Sequence, residues 1–411
     1  MNGSYNKDKL GALPVVIPDS IKFATPKQGP PGTRKEFRLP PAASSYATNS
    51  DNIVRFFFNN DSVIDFTRGG VAFDLTITAP GATYVRLAQG AWSIFNRVRL
   101  TTGVELEDIR EYGRLHSSLF EMYREPDVGA VLGEVYGYGT QFERNTWGAT
   151  PANDYMIPLL AGLFLSGPLP MGIFSQRVQL ELYMEDPLRC VETDSPGPIV
   201  ISLTNIYFHY EVLQLSPTTT TQLVAAAMGG VRYPYKSFVY YTQPIIAATQ
   251  DLLIPHSSPG IDSFIHFMVQ NNNSTDTTVN DKFLTWLFND CTQHQLRINN
   301  EFFPLEPTQA ADDPQSYLEY LRLIGKWLLA GVYKNPPTIA FSDYNDDRFI
   351  IVNQLETYPG DGLVNNMSTA EGGNNVFLRL WLAAPPPVPT SLITFAVVSK
   401  TIDLVGTKLK Q

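Results

Sequence analysis

Cys291 and His294 stand in a Cys-x-x-His spacing, the arrangement with which a zinc site can begin. A closed tetrahedral site needs two further ligands, and this half of the sequence offers no second Cys/His pair, so the spacing is read as coincidence. Asp343, Asp346 and Asp347 form an acidic cluster suited to a loop-bound cation. They lack the regular ligand spacing and closing glutamate of an EF-hand, and the cluster is read as a solvated loop. Glu105, Glu107 and Glu181 are carboxylates that a hydrolase would have to bring together in a cleft. The five histidines (His116, His209, His256, His266 and His294) are dispersed and are read as packed or hydrogen-bonded side chains. No phosphate-binding loop, nucleophile elbow, zincin motif or Cys-x-x-Cys pair is present. No catalytic, cofactor-binding or metal residue is therefore assigned, and no cofactor is expected.

Other motifs have plain structural readings. Asn272, Asn273 and Asn366 begin N-glycosylation patterns, but no basic stretch followed by an apolar run precedes them. The expectation is a chain made in a host cytoplasm or nucleus without a signal peptide, its asparagines unmodified. Phe56, Phe57 and Phe58 lack the basic surround of a base-stacking platform and are read as a buried strand. Tyr136, Tyr138 and Trp147 are the aromatics that would serve a carbohydrate- or receptor-binding surface.

The elements that hold these residues read mainly as strands. Apolar runs of strand length recur at Ile53–Phe58, Val71–Thr78, Trp92–Leu100, Leu159–Leu165, Val178–Met184 and Ile199–Leu215. Val178, Leu180, Leu182 and Met184 share one face, with Gln179 and Glu181 on the other, the period of a strand with one wet side. The uncharged stretch 155–176 is broken by prolines and glycines and is read as two buried strands with a turn, not a membrane span. Two helices are predicted. One spans 109–123, capped by Asp108 with Glu111 completing a capping box. The other spans 314–330, capped by Asp313 with Pro314 in the first turn.

The two helices reveal an internal repeat. Strand, tight turn, strand and acidic cap precede each, at 95–108 and at 294–313. Each is followed by a long insertion, 124–154 and 331–373, and then by two closing strands: 176–184 with 199–215, and 375–382 with 392–404. A duplicated unit implies duplicated architecture. Ser216 to Gly230, with its threonine run and paired glycines, reads as the linker between the halves.

Composition agrees. Aromatics reach 12% of 411 residues, and only 17% are charged, which points to surface hidden against partners. The net charge of −10 excludes a nucleic-acid-binding surface spread over the whole molecule. Residues 1–38 nonetheless carry seven basic against three acidic groups, a net +4 that leaves −14 on the remainder. Cys190 and Cys291, one in each half, imply no disulfide framework.

The segment Ile157-Pro-Leu-Leu-Ala-Gly-Leu-Phe-Leu-Ser-Gly-Pro-Leu-Pro-Met-Gly-Ile-Phe-Ser-Gln-Arg-Val-Gln-Leu-Glu-Leu resembles a stretch of double jelly-roll major capsid proteins. So do the strand–Gly–strand–helix of Asn96–Phe120 and the closing Leu203-Thr-Asn-Ile-Tyr-Phe-His-Tyr-Glu-Val-Leu. The order of these motifs and the repeat cover about 370 residues. The resemblance implies the tectivirus–adenovirus lineage, in its polinton-like virus or virophage type. It implies an all-β chain of two tandem jelly-roll β-sandwiches with one short helix inserted in each. The expected organisation is a basic arm (1–38), a first jelly roll (39–216), a linker (217–231) and a second jelly roll (232–411).

The implied role is structural: homotrimeric capsomers, pseudo-hexagonal in outline, in an icosahedral virion shell. Implied partners are other capsomers, penton and minor capsid proteins. The arm would meet membrane, genome or minor proteins at the inner face, and the insertions would stand as towers toward a host receptor. The competing readings are a two-jelly-roll glycan-processing amidase or hydrolase and a carbohydrate-binding protein.

Overall fold

The computed structural model describes residues 32–59, 62–123, 135–137, 152–174, 176–256, 260–271, 282–310, 314–324, 339–355, 375–405 and 408–410. Among the described residues eight main strands build the first half: β1 (Gly32–Leu39), β2 (Ile53–Phe57), β3 (Val63–Thr78), β4 (Phe95–Thr101), β5 (Glu105–Arg110), β6 (Ala152–Ile157), β7 (Gln179–Met184) and β8 (Val200–Leu215), with short strands at Ser45–Ala47, Val85–Leu87, Leu169–Pro170 and Val191–Thr193 beside them. Eight more main strands build the second: β9 (Gly229–Ile245), β10 (Thr249–Ile254), β11 (Ile261–Gln270), β12 (Cys291–Ile298), β13 (Glu301–Gln309), β14 (Ile350–Gln354), β15 (Val376–Leu382) and β16 (Thr390–Val405), the last carrying the short strand Lys408–Lys410. Helix α1 (Tyr112–Tyr123) lies between β5 and β6, α2 (Pro217–Met228) joins the halves, and α3 (Gln315–Leu323) lies between β13 and β14.

The first half pairs its strands in the orders β1-β8-β3-β6 and β2-β7-β4-β5, all antiparallel. The second pairs them as β9-β16-β11-β14 and β10-β15-β12-β13. Adding eight to every label of the first half yields the second. Two four-strand sheets in this order make a jelly roll, so the chain is a double jelly roll with one helix at the same point of each unit. The repeat read from the sequence is thereby found strand for strand.

Registers show why alternation dictates the sandwich. Leu180 sits opposite Phe56 on one side and Leu100 on the other, and Leu182 lies between Val54 and Val98. All six are buried, forming one face of the first core. In the second unit Leu378 takes the same place between Leu252 and Leu296. On the opposite face Glu181 pairs with Arg55 and Arg99 at 3.3 and 3.5 Å, whereas Arg379 holds that position in the second unit and pairs with Asp251 at 2.5 Å. Glu181, expected on a wet side, is in fact buried beneath its two arginines. Phe56 and Phe58 are buried and Phe57 faces outward, as a strand requires.

Several expectations need correction. Asp108 is not a helix cap: it lies in β5, where Arg97 binds it at 2.5 Å and Arg110 at 3.1 Å. The chain turns at Glu111, whose φ of 52° ends the strand, and the helix starts at Tyr112. Helix α3 ends at Leu323, and Pro314 rather than Asp313 flanks its start; Asp313 and 325–330 lie outside the described residues. Within 155–176 only Ala152–Ile157 and the two-residue Leu169–Pro170 are strand, and Gly162–Leu165 is a helical turn. Residues 91–94 are a 3-10 turn ahead of β4. The segment between the halves is not extended but forms the helix α2 (Pro217–Met228), and β9 begins directly after it. The arm gives up residues 32–38 to β1, and 1–31 lie outside the described residues. Of the two insertions, 152–154 belongs to β6 and 350–354 forms β14, the edge of the β9-β16-β11-β14 sheet. Residues 135–137, 339–349 and 355 are also described, with a helical turn at Phe341–Tyr344, whereas 124–134, 138–151, 331–338 and 356–373 lie outside the described residues.

Candidate functional site: the junction between the two sandwiches

The residues singled out for chemistry do not converge. Cys291 and His294 are both buried in β12, where His294 Nε2 meets Ser316 Oγ at 3.0 Å and the Cys291 thiol, pushed up to about 12 by burial, lies 3.5 Å from the Gln293 carbonyl. His116 stacks on Trp92 at 4.4 Å, and His266 sits between Thr394 and Asn353. Burial lowers His116, His266 and His294 to about 3 and His256 to about 4, so these rings are neutral at pH 7. His209 in β8 is partly exposed, 3.6 Å from Glu36. Asp347 pairs with Arg348, and among the described residues no three His, Cys, Asp or Glu side chains gather into a metal site. Tyr136 packs near Trp92 at 6.2 Å rather than standing free; Tyr138, Trp147, Asn272, Asn273 and Asn366 lie outside the described residues.

The three carboxylates also part company. Glu105 binds Arg99 at 2.9 Å on the exposed face, Glu181 shares that arginine, and Glu107 is fully buried against the second sandwich. A hydrolytic pair is therefore not assembled. A cavity of about 490 Å³ does open beside α1, lined by His116, Leu119, Phe120, Phe238, Ile265 and Val397, yet none of the three glutamates reaches it.

What the chain does build is a polar junction between its halves. The Tyr235 hydroxyl on β9 donates to the Leu106 carbonyl of β5 at 2.7 Å, and Lys400 Nζ reaches the same oxygen at 3.4 Å. Glu107 accepts from the amides of Gly162 and Leu163 at 2.9 and 3.3 Å. The buried Lys282 ammonium donates to the carbonyls of Leu188 and Val191 at 2.7 and 3.4 Å, crossing from the second half to the first. Beside it Arg189 binds Glu111 at 2.6 Å and Glu185 at 3.3 Å, and Arg114 lies over the Phe283 ring at 5.4 Å. Burial would raise Glu111, but Arg189 outweighs it and holds that carboxyl below its ordinary value. Of these groups the sequence singled out only Glu107, as a hydrolase candidate, and Glu111, as a capping-box partner, and neither as part of a junction. The signal available was the small-residue step at Ala161-Gly162, where a Cβ would stand 1.4 Å from the Lys236 carbonyl oxygen of β9.

The junction makes one pH-dependent prediction. Desolvation raises the Glu107 carboxyl, so its folded-state pKa exceeds its unfolded value near 4.3. A raised acid contributes stability at low pH that is lost as pH climbs through the folded pKa. Glu107→Gln does not titrate, so its melting temperature relative to the native chain should rise as pH climbs from 4 and level off once the pH has passed the folded-state pKa. A flat difference across that range would show that the carboxyl is not desolvated at the junction.

The class defined by fold and junction is a double jelly roll whose two units meet where the outer strands β5 and β9 lie against each other. No protein-family model and no curated protein matches the sequence. Solved structures do. PBCV-1 VP54, as fitted into a reconstruction of the virophage Sputnik, is 9% identical with a TM-score of 0.64, covering 93% of this chain and 97% of that one. A chain of the Sputnik virophage is 14% identical at 0.60, covering 92% and 88%. The Faustovirus major capsid protein is 10% identical at 0.59, covering 92% and 91%. At such identities the likeness establishes the shared double jelly-roll fold over nearly the whole chain.

Proposed function

We propose that this chain is a non-enzymatic, structural major capsid protein of an icosahedral virus, self-associating into trimeric capsomers. The observation that carries the reading is the strand-for-strand repeat, two jelly rolls in one chain, spanning over nine-tenths of it in common with the Faustovirus major capsid protein. Three such chains present six similar blocks around one axis and make a pseudo-hexagonal tile. Large apolar side chains remaining at the surface, among them Phe37, Ile246, Phe302 and Leu305, support a molecule whose surface is completed by its neighbours.

In this reading the protein resides in the virion shell, the basic N-terminal arm (1–38) contacts membrane, genome or minor proteins at the inner face, and penton proteins meet the capsomers. The insertions after α1 and α3 project outward as towers toward a receptor. Light scattering on purified protein at low micromolar concentration should give three times 45.8 kDa. Electron microscopy should show hexagonal tiles or closed shells. A monomer unaffected by concentration and salt, with no shells in the microscope, would overturn the proposal.

A further inference from the structure

The two units are equivalent in topology but not in what covers them. In the first, the outermost strand β5 is protected: Leu106 and Ile109 are buried, and β9 of the second unit lies against it through Tyr235. Its counterpart β13 is bare, with Leu305 87% and Phe302 36% exposed. The counterpart of the covering strand β9 is β1, seven of whose eight residues are exposed.

The register extends the equivalence to single residues. Tyr235 faces Lys400, five positions before the end of β16 at Val405. Phe37 faces Tyr210, five positions before the end of β8 at Leu215. Phe37 therefore holds the place from which Tyr235 reaches across the internal junction, and it is 40% exposed. Charge agrees. Strand β1 carries Arg34, Lys35 and Arg38 against Glu36, while β13 carries Glu301 and Glu306 with no basic residue.

We infer that β13 of one chain is covered by β1 of a second copy, repeating between chains the joint that β5 and β9 make within one. Phe37 of one copy packs against Phe302 and Leu305 of the next, and Lys35 and Arg38 face Glu301 and Glu306. The contact is heterologous: each chain offers one β1 and one β13, and only a closed ring satisfies all of them. This assignment rests on the self-association proposed above for closure at three chains.

Sedimentation velocity on the full chain tests it with Leu305→Asp and Phe37→Asp. Both substitutions are at exposed positions, and unchanged thermal melts will verify folding; Leu305→Ser and Phe37→Ser replace any variant that melts early. Each variant alone should sediment as a monomer. Mixed, they should form a two-chain species and nothing larger, because Phe37→Asp keeps an intact β13 and Leu305→Asp an intact β1. A variant that keeps the native mass, or a mixture that stays monomeric, overturns the edge assignment while leaving native self-association standing. A native chain that is itself monomeric overturns both.

Discussion

Replacing Gly162 by alanine is expected to lower the melting temperature by about 10 °C, and to split one transition into two. The added Cβ would stand 1.4 Å from the Lys236 carbonyl oxygen and 2.6 Å from its carbon, both backbone atoms of the second sandwich. No rotamer change relieves that overlap, so the helical turn at 162–165 and β9 must separate. Overpacking of this kind costs about 1–3 kcal/mol. The separation also withdraws the Gly162 amide from the buried Glu107 carboxyl, and a lost buried hydrogen bond adds roughly 1–3 kcal/mol. At about 2–4 °C per kcal/mol the sum gives the shift stated. Gly197→Ala is the control, since its Cβ would meet Pro80 at ordinary contact distances of 3.5 Å or more. Equal melts for the two variants in differential scanning calorimetry would refute the account of the junction.

The second large effect lies in the core. Leu180→Asp should abolish soluble expression, because it places a carboxylate between Phe56 and Leu100 with no partner within the sandwich. The cost is on the order of 5 kcal/mol, beyond what a marginally stable domain tolerates. Leu378→Asp should do the same to the second unit, where Leu252 and Leu296 flank the position. Leu253→Asp, one position along β10 on the outward face, should leave the protein soluble. If the three variants express equally, the inner and outer faces have been assigned to the wrong sides.

The architecture was legible in the sequence because it rests on local periodicity. Alternation at 178–184 and the order of strand, turn, helix and paired strands survive any change of partner. Boundaries set by distant residues were not legible. Asp108 and Glu111 match a capping box, but Arg97 and Arg110 draw Asp108 into the β5 edge, and Arg189, 78 positions away, draws Glu111 into the junction. The threonine run after Ser216 looks like a flexible connector by composition, yet it folds as the helix α2 between two long strands. For the same reason Glu107 read as a catalytic candidate. Only the tertiary structure seals it against β9. Exposure at Leu305 is likewise invisible in a pattern that shows residue types and not neighbours.

Helix α2 has a consequence for how a shell would come apart. It ties the last strand of one block to the first strand of the next, so the joint between β5 and β9 forms at an effective concentration set by the tether, independent of protein dilution. Any joint between chains has no such tether and answers to mass action. In the six-block ring proposed above, three permanent seams would alternate with three conditional ones. Dilution, heat or salt acts first on the conditional seams. The released unit is then a whole two-block chain with its internal seam closed, able to re-enter a ring without refolding.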